Sequence, residues 1–139
     1  MITKPEIKLK PKTMSSSCSD MGELISYLMV CRNVIHVMHL KPTSESEHEA
    51  LGELYEALPD HIDTITEAYQ GYYGELLTFK FETGNEYLSM KSLDYVSEIL
   101  SHVESSKPHY KDNSMILNEL DNLVATLSKT KYKLKFMPQ

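Results

Sequence analysis

The stretch from Ser46 to Tyr73, SEHEALGELYEALPDHIDTITEAYQGYY, constrains the fold more than any other part of the chain. Its apolar residues Leu51, Leu54, Tyr55, Leu58, Ile62, Ile65 and Tyr69 recur at alternating steps of three and four, the spacing that lays one continuous stripe along an α-helix facing a core. Three potential metal ligands lie on this helix, His48, Asp63 and Glu67, and a fourth, His39, stands near the end of the helix before it. At about 1.5 Å rise per residue, His48 and Asp63 are roughly 22 Å apart along the axis and cannot share an ion within one helix. They meet only if a second copy of the helix packs antiparallel, with His48 of one chain beside Asp63 and Glu67 of the other. Those two carboxylates are one turn apart and converge on the same side.

The run from His39 to Glu67 resembles the signature of Dps, a branch of the ferritin-like superfamily, in which one His closes the first helix and a second opens the next. There, an Asp follows fifteen residues later and a Glu four after that; His48, Asp63 and Glu67 keep this spacing. The resemblance implies an all-α, ferritin-like antiparallel four-helix bundle with a long crossover between its second and third helices. It also implies a ferroxidase-type site between subunits, with His39 and His48 from one and Asp63 and Glu67 from its partner. Iron is then the expected metal, and a homodimer or a larger cage the expected assembly. Two imidazoles and two carboxylates also suit zinc or manganese. Small ferritin-like proteins of tailed phages are similar, so a phage-encoded protein working in its host's cytoplasm is one expectation. The chain departs from the pattern at Leu40, Gly52 and Ala68, and the turn between the two histidines is about three residues short. Glu53 is the expected substitute for the carboxylate absent at Gly52. These departures keep a second reading open, a non-catalytic ferritin-like scaffold or partner-binding module with a degenerate metal site.

The rest of the chain reads as three more helices and two basic ends. Residues 1–19 are expected to be a tail and linker, 20–128 the bundle, and 129–139 a second tail. The first helix is capped by Ser19 or Asp20, carries Leu24, Leu28, Cys31, Ile35 and Met38 inward, and ends before Pro42. His36 lies one turn from His39 and reads as structural; His61 reads as a surface residue. Ser44 with Glu47, or Ser46 with Glu49, forms a capping box for the second helix, which Pro59 is expected to kink. The segment Glu75–Glu82, ELLTFKFE, has strand character and serves as the crossover. A third helix from Tyr87 to Ser105 turns Leu88, Leu93, Val96, Leu100 and Val103 inward. The fourth, capped near Asn113, does the same with Ile116, Leu117, Leu120, Val124 and Leu127.

Charge is unevenly spread. The net charge of −6 combines +3 in residues 1–12 and +4 in residues 129–139 with a body of 6 basic and 19 acidic residues, a net −13. Lysines alternate with Ile7 and Leu9 at one end, and with Tyr132, Leu134 and Phe136 at the other, a period-two pattern that predicts short strands at both termini. These ends are solvated tails, pairing segments, or a grip on nucleic-acid phosphates. The acidic body fits attraction of cations. No apolar run approaches the roughly 20 residues of a membrane span, so no membrane partner is expected, and two cysteines do not make a disulfide framework, so reduced thiols in a cytoplasmic setting are expected. The third helix offers Glu98 and His102 four apart, and the fourth no histidine, so the Glu-x-x-His spacing of an in-bundle di-iron centre is missing. Phosphate loops, Cys-x-x-Cys pairs and Gly-x-Ser-x-Gly elbows are also lacking.

Overall fold

The computed structural model describes residues 11–138, and side chains from Asp20 onward. Four helices account for most of it: α1 (Pro11–Leu40), α2 (Glu45–Tyr73), α3 (Ser92–Ser106) and α4 (Ser114–Phe136). Short turns join α1 to α2 and α3 to α4, so each pair is antiparallel, whereas residues 74–91 make the long connection from α2 to α3. The Ser92 hydroxyl at the start of α3 donates to Glu47 at the start of α2 (2.6 Å). The chain therefore travels back along the whole bundle before α3 begins, and α2 and α3 run the same way. Helices α1 and α4 each pack on both α2 and α3, which leaves α2 and α3 diagonal and every neighbouring pair antiparallel.

The stripe read from the sequence is the core. Leu24, Leu28, Cys31, Ile35 and Met38 of α1 and Leu51, Leu54, Leu58, Ile62, Ile65 and Tyr69 of α2 are all buried. In α4, Ile116, Leu120, Leu123 and Leu127 complete the opposite wall. Helix α3 is rotated from expectation. Tyr95, Val96, Ile99 and Val103 are buried, Leu93 and Leu100 are half-buried, and Leu88 lies outside the helix and is 44% exposed. A 3-10 turn at Asn85–Tyr87 precedes α3, and the helix starts five residues later than its apolar spacing predicts.

Helix α2 begins at the predicted cap. The Ser44 hydroxyl accepts from the Glu47 amide (3.1 Å). Glu47 in turn accepts from the Thr43 amide (2.6 Å) and hydroxyl (2.9 Å), one residue further back than in the ordinary box. Partial burial acts to raise the Glu47 carboxyl, but hydrogen bonds from Ser92 and Thr43 outweigh it and hold the group below the usual carboxylate range. The helix runs unbroken through Pro59 and stops at Gly74, whose φ of 71° is the left-handed conformation that favours glycine.

Three expectations about the connecting and terminal segments are corrected. Residues Ser15 to Asp20 are helical rather than a linker, because α1 starts at Pro11, an ordinary first helical position for proline; in sequence, Met14, Cys18, Met21 and Ile25 continue the helical period. The strand proposed around Ile7 and Leu9 lies outside the described residues. At the other terminus, Tyr132, Leu134 and Phe136 belong to α4, not to a strand. Buried Thr130 and the packing of Leu134 against the core extend the stripe of Leu123 and Leu127 at helical spacing, and that outweighs six residues of alternation. The crossover, Glu75 to Glu82, is extended but is not a strand. It lies against a helix, which has no backbone groups to offer sideways, so side chains anchor it. The Leu77 amide donates to Gln70 Oε1 (2.8 Å) and the Lys80 amide to Ser26 Oγ (3.0 Å). Gly22 admits the Thr78 carbonyl, since a Cβ there would lie 2.4 Å from that oxygen.

Candidate metal-binding site

His39, in the last turn of α1, and His48, in the first turns of α2, face each other across the Lys41–Ser44 turn. Their rings stack, with centroids 4.0 Å apart and planes 17° from parallel. His39 Nδ1 lies 2.8 Å from the His48 carbonyl oxygen, and His48 Nδ1 lies 2.8 Å from the His39 carbonyl oxygen. A carbonyl only accepts, so both Nδ1 atoms carry the proton and both Nε2 lone pairs are left for another partner. This is the second-shell arrangement that fixes the tautomer of metal-binding imidazoles. It also has a structural use, because the His39 carbonyl is one of the terminal acceptors of α1 that the helix itself does not satisfy.

The neighbours of the pair hold it in place. Gly52 sits under the His39 ring, and a Cβ at that position would come within 2.9 Å of His39 Cε1. The glycine that reads in the sequence as a missing ligand is the space into which His39 packs. His36 stacks on Tyr55 at 3.9 Å, and the Arg32 guanidinium lies 4.5 Å from the centre of the same ring. His36 therefore has the structural place expected of it. His61 is half-buried rather than superficial: its Nε2 meets the Thr126 hydroxyl of α4 at 2.8 Å, and burial pushes its pKa down.

The two carboxylates stand elsewhere. Asp63 and Glu67 are exposed on α2, and among the described residues neither has a hydrogen-bond or ion-pair partner. Asp63 lies on the rim of a groove of about 730 Å³ between α1, α2 and the crossover. Exposed Val37, Phe81 and Leu88 line the same groove. Glu53 faces another way and accepts a hydrogen bond from Lys133 of α4 (2.5 Å), which, with the lysine charge, draws its pKa down. Within one chain, among the described residues, no three His, Cys, Asp or Glu side chains converge on an ion. The structure brings His39 and His48 together and leaves Asp63, Glu67 and Glu53 apart from them.

Helical-bundle architecture with a paired-histidine turn is the class that these coordinates define. The chain belongs to a family of unknown function, DUF5856, whose model matches residues 39–134 and so begins at His39 itself. It is similar to the uncharacterized 14.6 kDa protein of the mobD–ri intergenic region of Enterobacteria phage T4, with 26% identity over 129 residues, covering 92% of this chain and 98% of that protein. No solved structure matches the chain. None of the described helices is long and apolar enough to cross a membrane.

Proposed function

We propose that this protein is a Dps-like, ferritin-like iron-binding protein whose site forms between two copies, His39 and His48 of one meeting Asp63 and Glu67 of the other. The observation that carries this reading is the reciprocal imidazole pair, which points two unprotonated Nε2 atoms away from their own backbone. Unpartnered Asp63 and Glu67, spaced one turn apart and exposed, complement it with two negative charges. The order of the helices, with α2 and α3 parallel and diagonal and joined by a long crossover, is the order expected of the ferritin-like reading. The apolar groove beside Asp63 favours a second copy on that face, because a partner there covers Val37, Phe81 and Leu88 as it delivers its histidines. In this reading Fe(II) ions bind at the shared site and are oxidised by peroxide or dioxygen. With peroxide, two Fe(II) ions each give up one electron, and the peroxide leaves as water after taking up two protons. The same ligands serve Zn(II) or Mn(II) without redox chemistry.

Anaerobic Fe(II) titration with absolute mass measured in parallel tests the proposal. Saturable binding by a dimer, abolished by Asp63→Ala and by His48→Ala, is the expected result. A folded dimer that binds no Fe(II) overturns it and favours the scaffold reading, in which the histidine pair serves only to lock the α1–α2 turn.

A further inference from the structure

A second cavity, about 420 Å³ in volume, lies between α1, α3 and the crossover, away from the histidine pair. Its walls include the rings of Tyr27, Tyr87 and Tyr95, with Cys31 beside them. Tyr87 and Tyr95 are 5.1 Å apart at their ring centres. Tyr95 is wholly buried, yet its hydroxyl has no hydrogen-bond partner of normal geometry, and the buried Tyr27 hydroxyl has none either. Their polar neighbour, the Cys31 thiol, is a weak acceptor. Two adjacent buried hydroxyls without a good partner need an explanation, since buried polar groups are almost always paired.

The lining chemistry narrows the class of partner. Glu23, Glu82 and Glu86 line the cavity against a single cation, Lys80. Burial, and after it the charges of Glu86 and Glu98, push the Tyr87 hydroxyl above its ordinary value, so the field at the cavity is negative. Aromatic faces together with carboxylates attract cations. Phenolic oxygens have lone pairs for N–H donors, which a primary ammonium supplies and a metal ion does not.

We propose that this cavity binds a small aliphatic ammonium ion, its N–H groups donating to the Tyr27 and Tyr95 oxygens and its charge held by the three tyrosine rings and the surrounding carboxylates. Calorimetric titration of the full chain with diaminobutane at low salt tests this, with butanol as the neutral control. One saturable site per chain is expected. Glu86→Gln, on the exposed crossover, and Tyr95→Phe are each expected to weaken binding about tenfold, as loss of a charged or hydrogen-bonding partner does, with circular dichroism unchanged. Equal binding of butanol, undiminished binding by Glu86→Gln, or no saturable heat from the folded wild type overturns the assignment. Should Tyr95→Phe not fold, Glu86→Gln decides alone, because its side chain is exposed and carries no core packing.

Discussion

The imidazoles of His39 and His48 show how one small residue sets a site. Gly52 costs α2 roughly 1 kcal/mol of helix propensity relative to alanine, and the structure uses that space for the His39 ring. Gly52→Ala recovers the propensity but forces the ring aside. The expected outcome is a stability within about 1 kcal/mol of wild type, with the His39–His48 bonds broken and Fe(II) binding lost. Chemical denaturation measures the first, and imidazole nitrogen NMR with iron titration measures the second. A variant that keeps both Nδ1 protons in their hydrogen bonds sinks the packing account.

At the scale of the element, the start of α2 gathers several interactions on one side chain. Glu47 joins the α1–α2 turn, through Thr43, to the start of α3, through Ser92. Because its folded carboxyl titrates below the ordinary 4.5, that stabilisation is complete above this pH, begins to fade as pH falls below it, and is gone once pH has passed the lower folded value. Glu47→Gln should therefore flatten the acid limb of stability between those two points, which denaturant midpoints at stepped pH would reveal; an unchanged limb refutes the role. Ser44→Ala should cost about 1 kcal/mol by removing the cap. Gly74→Ala should cost a similar ~1 kcal/mol, since alanine at φ 71° is strained. Thermal melts of both variants check these values.

For the whole molecule, the core and the exposed groove make separate predictions. Leu54 is fully buried, so Leu54→Ala should lose about 2–5 kcal/mol of unfolding free energy, read from equilibrium denaturation. Leu88→Glu places a charge on the groove beside Asp63 and touches no buried residue's own packing stripe. It should leave the fold intact while shifting the mass to that of a monomer and removing Fe(II) binding, whereas Asp63→Ala should remove the iron and keep the dimer. A Leu88→Glu protein that stays dimeric and binds iron places the interface elsewhere.

Helix identity, the inward stripes of α1, α2 and most of α4, the Ser44 cap and the stop at Lys41–Pro42 were all legible in the sequence. Each follows from spacing or from bonds within a few residues. The pairing of His39 with His48 was also legible, because a short turn joins their helices. Tertiary structure decided the rest. The alternation of lysine with Tyr132, Leu134 and Phe136 has the period of a strand, and only packing of Leu134 and Thr130 on the core made it the end of a helix. The crossover has strand composition, but a strand needs a backbone partner and a helix flank offers none. Gly52 reads as an absent ligand until His39 is seen above it, and Glu53 as a free carboxylate until Lys133, eighty residues on, takes it. Tyr27, Cys31 and Tyr95 are unremarkable core residues in one dimension. The cavity that they share exists only where α1, α3 and the crossover meet, because contacts between distant segments are set by the packing of whole elements rather than by any local pattern.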